Sequence, residues 1–227
     1  MTYRSMLSHY FTDVGNVFYL VAIAALGTAL AHVPGLSIAY LTLIACGMVL
    51  YVPQEYLAHV FVFHMKAPRN PLLYRLLYRI HHGHHDEPER ADILFTPLWF
   101  TLPILAFNMT LFFLLTSSLA ATLALTTGLV AGYLVFEWLH LYMHTSIEPR
   151  LEIFRTIKHR HMGHHHRSEN HWFIITPLGI VCDEWFGTGG DVHAQRITGT
   201  AATLGVPAAD PRKILARTYY ASGYRRI

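Results

Sequence analysis

Residues 119–144 read LAATLALTTGLVAGYLVFEWLHLYMH, an apolar run that closes with two histidines. Glu137 is the only acidic residue of this run, and the run contains no lysine or arginine. A helix of about 20 apolar residues is long enough to cross the hydrocarbon core of a bilayer. We therefore predict a transmembrane helix over about 119–141, with His140 and His144 at its end.

Three further apolar runs are long enough to cross a membrane, so we predict four spans in total. These runs cover about 14–33, 36–63 and 94–115. The chain is 53% hydrophobic and 14% charged, whereas an ordinary soluble domain is about 25% charged. Four core helices of a soluble protein are the weaker alternative at these lengths. The predicted fold class is therefore an all-α integral membrane protein.

The basic residues indicate which side of the membrane the ends of the spans face. All 17 lysines and arginines lie at Arg4, within 66–90, or from Arg150 onward. By the positive-inside rule, we expect both termini and both basic segments on the cytoplasmic side, so that the spans form two hairpins. Residues 64–93 and 142–227 then form a cytoplasmic helical cap. The 227 residues are enough for one domain.

The chain has 17 histidines, more than its 14 acidic residues, and ten of them recur at regular spacing. An H-x4-H motif ends the second span and an H-x3-H motif ends the fourth. An H-x2-H-H motif follows in each basic segment. The ten histidines of the four motifs are His59, His64, His81, His84, His85, His140, His144, His161, His164 and His165.

This spacing is typical of metal ligands. Helical residues three or four apart have Cβ atoms about 5–6 Å from each other, so two rings can share one ion through bonds of roughly 2.0–2.1 Å. The H-x4-H pair is less regular, because five residues rotate the second ring away from the first. It suits a metal if the helix unwinds near its end, or if the two rings approach from different sides. Ten histidines are too many for one ion and suit two.

Seven histidines fall outside this spacing. We interpret His9 and His32 as hydrogen-bonded structural residues. The others are interpreted as surface or supporting groups, namely His82, His159, His166, His171 and His193.

Two carboxylates lie inside predicted spans and close to the motifs. Glu55 precedes His59 by four residues, and Glu137 precedes His140 by three. We predict that each accepts the ring N–H opposite the metal and so orients its histidine. Glu137 could instead bind a metal directly, as in soluble di-iron carboxylate bundles. Those bundles use two Glu-x-x-His pairs and two further Glu residues, whereas this chain has one such pair, so the supporting role is favoured.

The series of motifs resembles the fatty acid hydroxylase superfamily of integral-membrane oxygenases, over roughly residues 50–190. RIHHGHHDEP at 79–88 and Thr96-Pro97 are similar to the first half of that family's pattern. The second half is matched by HMGHH, Thr176-Pro177 and DEWFGT, at 161–165, 176–177 and 183–188. The H-x4-H motif resembles the fatty acid 2-hydroxylase branch more than the sterol desaturase branch.

The resemblance implies that all ten motif histidines bind metal, with no further catalytic residue beyond them. It implies two iron ions, for which zinc can substitute in isolated protein. It also implies O2-dependent hydroxylation of a lipid or fatty acyl chain at the carbon next to the carbonyl. The net charge of +3 does not indicate nucleic acid.

Some eukaryotic relatives carry a fused cytochrome b5 domain. The 13 residues before the first predicted span are too few for one, so we expect a separate cytochrome b5- or ferredoxin-type electron donor. Arg75, Arg79 and Arg160 are candidates for binding an anionic head group, although membrane topology alone explains basic residues here.

Three other functions remain open on sequence grounds. A desaturase would use the same centre, and so would a sterol, carotenoid or hopanoid hydroxylase. A metal transporter would also be rich in histidine, but it should line its path near the bilayer midplane. The predicted ligands instead gather at one membrane face.

Overall fold

The computed structural model describes residues 2–33 and 38–223, in which every regular element is helical. Helices α3 and α4 each continue into a π-helical turn, at His59–Phe63 and Tyr78–His82. Short 3-10 turns lie at Ala91–Ile93, Pro177–Gly179 and Ala221–Gly223. The ten α-helices are α1 (Tyr3–Thr12), α2 (Val14–Ala31), α3 (Ile38–Ala58), α4 (Pro71–Leu77), α5 (Gly83–Asp86), α6 (Leu98–Thr116), α7 (Leu119–Met143), α8 (Glu152–His166), α9 (Ile180–Trp185) and α10 (Pro211–Tyr220).

Four helical segments are long and apolar enough to cross a membrane, as the sequence predicts. They are Val14–Ala31, Ile38–Phe63, Ala91–Thr116 and Leu119–Met143. The predicted start of the second span at residue 36 lies outside the described residues. The third segment includes the 3-10 turn at its start, and its helix begins after Pro97. The side of the membrane that each end faces stays a prediction.

Helix α7 is the centre of the bundle. Helices α2, α3 and α6 all pack against it. In its most apolar window, 61% of the α7 residues are buried, against 11–22% in the other three segments. Helices α2 and α3, predicted as a hairpin, thus pack mainly on α7 rather than on each other. The arrangement makes α7 the common support for the membrane part of the molecule.

Two glycines allow α3 and α7 to approach closely. A Cβ atom on Gly47 would collide with the carbonyl oxygen of Leu125, and one on Gly128 would collide with that of Ile44. Small residues at such crossings let helix backbones pack tightly in lipid, where there is little hydrophobic force between helices. The close crossing carries the ends of α3 and α7, with their histidines, to the same end of the bundle.

The turn between α6 and α7 is tight. Ser117 ends α6 in the left-handed region, with φ of 49°, and Ser118 caps the next helix by accepting from the backbone N–H of Ala121. A side-chain cap satisfies an N–H that the first turn of a helix leaves unpaired. The chain therefore reverses within two residues and brings α7 back alongside α6.

The remaining helices surround the histidine-bearing end of the spans. Helix α8 spans Glu152–His166 and carries the second H-x2-H-H motif. On the short α4, Leu72, Leu73 and Leu76 are exposed. Helices α1 and α10 were not predicted from the sequence, and α10 packs against α4.

Candidate metal centre

The ten motif histidines lie together in two groups of five. Within each group, the candidate ligand nitrogens all lie within 4.8 Å of one another. The first group contains His59, His64, His81, His85 and His164, and the second contains His84, His140, His144, His161 and His165. We call these groups site A and site B.

The histidines face each other through their Nε2 atoms. In site A, the Nε2 atom of His81 lies 3.1 Å from that of His59 and 3.2 Å from that of His64. In site B, the Nε2 atoms of His144 and His161 lie 2.8 Å apart. Two nitrogens bound to one ion at roughly 2.1 Å, and about 90° apart, would lie about 3.0 Å from each other. The spacing in both sites is therefore that of neighbouring ligands on one ion.

The two H-x2-H-H motifs exchange their middle histidines. His81 and His85 lie in site A, whereas His84 between them points into site B, 2.9 Å from the Nε2 atom of His140. In the same way His161 and His165 lie in site B, and His164 crosses to site A, 3.1 Å from the Nε2 atom of His85. Each site is thus built from both halves of the chain.

A π-helical turn places the H-x4-H pair. The backbone N–H of His64 donates to the carbonyl of His59 at 3.0 Å, a bond across five residues instead of the four of an α-helix. A π-turn adds one residue to a helical turn, so His59 and His64 return to the same face. The sequence suggested unwinding of the helix as one solution, and the structure instead widens the last turn. A second π-turn precedes α5, where the Gly83 N–H bonds to Tyr78.

The rings are neutral and, in two cases, their tautomer is set. Burial lowers the pKa of His164 to about 4, and burial with neighbouring imidazoles holds the pKa of His84 well below its usual range. The Nδ1 atom of His164 lies 2.7 Å from the carbonyl of His171. That of His85 lies 2.8 Å from the carbonyl of Ala201. Each Nδ1–H therefore donates outward, which leaves the Nε2 lone pair for a metal.

Ten imidazoles with converging ring nitrogens, eight of them buried and two half-buried, fit two metal ions. Burying so many polar rings is costly unless a cation binds them. Imidazole suits iron, copper, nickel and zinc alike. Five histidines exceed the four ligands of a structural zinc site. The donor set therefore suits a dimetal centre without identifying its metal.

The two carboxylates hold loops and do not contact the rings as predicted. Glu55 accepts from the backbone N–H of Ile175 at 2.8 Å and from the Thr176 hydroxyl at 2.9 Å. Glu137 accepts from the backbone N–H of Thr96 at 2.9 Å and from the Tyr133 hydroxyl at 2.7 Å. The predicted bonds to ring N–H groups are wrong for the described residues. Each carboxylate instead anchors a Thr-Pro pair from the segment that follows the other carboxylate's helix. Glu55 of α3 holds Thr176-Pro177, which comes after α7, and Glu137 of α7 holds Thr96-Pro97, which comes after α3.

Asp183, in the DEWFGT stretch, supports the loop that Glu55 holds. Its carboxylate accepts from the backbone N–H groups of Phe173 and Ile174 at 3.1 and 3.2 Å, and from the Thr188 hydroxyl at 2.7 Å. Asp183 is buried, and burial raises its pKa to about 6. The stretch therefore shapes the chain beside site A without contributing a ligand.

The C-terminal segment, which the sequence left uninterpreted, also supports site A. The carbonyl of Ala201 accepts from the ring Nδ1–H of His85. Asp86, the next residue, pairs with buried Lys213 at 2.7 Å and with Arg217 through both carboxylate oxygens at 2.7 Å. Both cations lie on α10. No motif marks these contacts in the sequence, because they join residues about 130 positions apart.

The seven other histidines lie outside both sites. His82 is buried beside the Tyr74 ring, at 5.8 Å between centroids. His32 bonds through its ring to the carbonyl of Thr28. His159 and His193 stack loosely on each other at 5.1 Å. Their placement agrees with the structural or surface roles interpreted from the sequence.

An apolar cavity of about 700 Å³, including its open mouth, leads from the spans to the histidines. A second, smaller space adjoins it, bounded by His59 and His81 of site A and by His140 and His161 of site B. The two spaces share the wall formed by His59, Phe63, Thr96 and Phe136. The cavity thus reaches His59 of site A, and the adjoining space lies between the two sites.

The sequence is similar to those of known proteins. The profile of the fatty acid hydroxylase family matches residues 43–188. A fatty acid 2-hydroxylase of Rattus norvegicus is 28% identical over 139 residues, which are 60% of this chain and 37% of that protein. A dihydroceramide fatty acyl 2-hydroxylase of Arabidopsis thaliana is 30% identical over 156 residues, 64% of this chain and 60% of that protein. The chain thus spans 37% to 60% of the length of these two relatives.

The fold is also similar to that of a solved structure. Full-length Scs7p, of which only the hydroxylase domain is visible, aligns with a TM-score of 0.70 at 25% sequence identity. The alignment covers 79% of this chain and 67% of that one.

Proposed function

The chain belongs to the fatty acid hydroxylase family, and on that premise we propose that it is an O2-dependent monooxygenase that hydroxylates an acyl chain of a membrane lipid. The single observation that carries the proposal is the apolar cavity that reaches His59 of site A and adjoins the space between sites A and B. A cavity of this lining, among membrane spans, accepts a hydrocarbon chain and excludes water.

The ten histidines would hold two iron ions, five at each site, with zinc able to substitute in isolated protein. The metals would supply O2 activation and the oxidising power to break a C–H bond. Overall, one O2, two electrons and two protons convert the C–H group to an alcohol and water. The electrons would come from a cytochrome b5- or ferredoxin-type protein. The relatives named as hydroxylases support this chemistry over desaturation.

The protein's own residues position the chain and the rings. Phe63, Phe100 and Phe136 form aromatic walls of the cavity. Phe63 stacks on the ring of His81 at 4.9 Å between centroids, and Phe136 stacks on that of His140 at 5.5 Å. An acyl chain against these walls would therefore lie next to one histidine of each site.

The position of the cavity supports attack near the head group. The histidines lie at the cap end of the spans, so a lipid head group at the membrane surface would stay outside while the first carbons reach the sites. We propose C2, the carbon next to the carbonyl, as the position of attack. With the positive-inside rule, the cap and both sites would face the cytoplasm.

The test is lipid mass spectrometry of cells expressing the protein, beside cells expressing the His164→Ala variant. We expect a gain of one oxygen in acyl chains, absent in the variant, with fragmentation placing the hydroxyl at C2. A loss of two hydrogens would make the protein a desaturase. An oxygen gained by a sterol, carotenoid or hopanoid would change the substrate class. Metal accumulation in vesicles without O2 consumption would support a transporter and contradict the proposal.

A further inference from the structure

The cavity has a side that faces lipid, between α3 and α6. Both helices pack against α7, on opposite sides of the cavity, but among the described residues they do not pack closely on each other. Gln54 and Ala58 line the cavity from α3, and Phe100 and Ile104 line it from α6. Ile104 lines the cavity and is nevertheless 38% exposed. A residue with both properties marks an opening, and between two membrane spans that opening faces hydrocarbon.

Two contacts between the helices frame this opening. Near the histidines, the rings of Phe63 and Phe100 lie 5.8 Å apart. Deeper in the membrane, the side-chain amides of Gln54 and Asn108 donate to each other, at 2.9 and 3.0 Å. Between these contacts, the methyl group of Ala58 stands on the α3 side and Ile104 on the α6 side. The small alanine leaves the middle of the frame open.

The Gln54–Asn108 pair is the only polar contact that joins α3 to α6 among the hydrogen bonds of the described residues. Asn108 is 3% exposed, and its amide also donates to the carbonyl of Ile104 in its own helix at 2.9 Å. Polar groups between spans are satisfied by each other when no water is present. The pair therefore sets the separation of the two helices at the inner edge of the opening.

Each helix also contains a proline at this level. Pro53 precedes Gln54, and Pro103 precedes Ile104. Proline cannot donate to the carbonyl one turn earlier, so each helix loses one internal hydrogen bond there. Both helices can bend beside the opening, and the amide pair restricts that bending.

We propose that the acyl chain reaches the cavity sideways from the bilayer, through the opening between Ala58 and Ile104. The Gln54–Asn108 pair is a positioning pair that holds the opening at a fixed width. This inference rests on the proposed function, since it assigns an access route to the same site. The ligand class is a single acyl chain already in the membrane, because water-soluble molecules do not reach this side of the cavity.

The route is tested with a fatty acid carrying a diazirine at mid-chain, added to membranes that contain the wild-type protein and then irradiated. Peptide mass spectrometry should find the probe on residues that frame the opening, such as Phe100 and Ile104. Labelling confined to the cap, or to lipid-facing residues away from the opening, would overturn the route. This readout does not depend on turnover.

Bulk at the opening provides the second test. Ala58→Phe and Ile104→Phe fill the frame from opposite helices. We expect each to reduce both frame labelling and hydroxylated lipid at least tenfold while both metals are retained. The matched controls are Leu57→Phe and Leu102→Phe, because these neighbours are 48% and 37% exposed and do not line the cavity. Unchanged labelling and product in both filled variants would contradict the proposal.

The positioning pair has its own control. Gln54→Leu and Asn108→Leu should each reduce product several-fold with metals retained, and the exchanged pair Gln54→Asn/Asn108→Gln should restore it. Failure of the exchanged pair, or no effect of the single variants, would remove the pair from the proposal. If the frame is labelled but wild-type protein hydroxylates no lipid, the proposed function fails and the route stands. If lipid is hydroxylated but the frame is not labelled, the route fails and the proposed function stands.

Discussion

Helix α3 lies at the lipid-facing edge of the bundle, whereas α7 lies at its centre. Only 17% of the most apolar window in the α3 segment is buried, against 61% in α7. Both helices nevertheless end in a histidine pair and are followed by an H-x2-H-H motif. The comparison shows how one arrangement of ligands is built in two different surroundings.

We call α3 and the segment up to α6 the exposed half, and α7 and the segment after it the central half. The exposed half needs more support than the central half. It uses a π-turn to place His59 and His64, while α7 reaches His140 and His144 by regular helical spacing. After the first H-x2-H-H motif, Asp86 is clamped by two cations of α10. After the second motif the corresponding residue is His166, which is exposed.

The halves are also interlocked. Each H-x2-H-H motif gives its middle histidine to the other site, and each buried glutamate anchors a Thr-Pro pair beside a site. Damage in one half should therefore reach both sites.

The largest expected effect is the loss of an exchanged histidine. His84→Ala should lower metal content at site B, and His164→Ala at site A. Removing a group that only orients a ligand costs about 10–100-fold in metal affinity or activity, so loss of a ligand should exceed that and abolish turnover. Metal analysis by mass spectrometry and lipid product analysis check both variants.

His32→Ala and His193→Ala are the controls, since both rings lie outside the two sites. Full metal loading in both the His84 and His164 variants would remove these residues from the ligand set. Loss of metal in either control would mean that the ligands of sites A and B are assigned incorrectly.

A smaller effect is expected for the clamp on the exposed half. Asp86→Asn leaves Lys213 buried without its carboxylate partner, and breaking a buried ion pair costs about 3–5 kcal/mol. The Asp86→Asn/Lys213→Met double variant removes both charges and should recover part of that stability. Thermal unfolding of the purified protein measures both. If the single and double variants lose equal stability, the ion pair is not the means by which α10 stabilises the protein.

The next smaller effect is expected at the crossing of α3 and α7. Gly128→Ala places a methyl group against the Ile44 carbonyl, and such overpacking costs about 1–3 kcal/mol. Gly27→Ala is the matched control, because the space around Gly27 is open. Thermal unfolding should separate the two variants. Equal stability would mean that α3 and α7 can move apart freely.

The smallest effect is expected for Glu137→Gln. The amide keeps one oxygen that can accept from Thr96 or Tyr133, so metal retention during dialysis against a chelator should fall less than in the histidine variants. The Glu55→Gln variant should lose metal to the same extent if the two carboxylates support their sites equally. Metal loss equal to that of a histidine variant would make Glu137 a direct ligand.

The membrane spans were predictable because they depend on local length and composition. The four predicted spans match the structure within a few residues where it is described, since no distant contact is needed to make a long apolar helix stable in lipid. The ten histidines could be selected for a similar reason. Spacing of three or four residues brings side chains together on any helix.

The errors lie where the outcome depends on distant residues. Glu55 seemed placed to hold His59, four residues away, but the loop at Ile175 and Thr176 supplies its donors from 120 positions further along. The C-terminal segment carries no motif, yet its Lys213 and Arg217 hold Asp86. Neither contact leaves a periodic signal in the sequence.

The sequence by itself determined the helical class, the four spans and the set of histidines, because periodicity and hydropathy act over one or a few helical turns. Only the tertiary structure decided that His84 and His164 change places, that a π-turn completes the H-x4-H pair, and that the cavity opens between α3 and α6. The physical reason is the close crossing of α3 and α7 at Gly47 and Gly128. It brings both helix ends to one place, where the packing of segments far apart in the chain assigns each ring to its site.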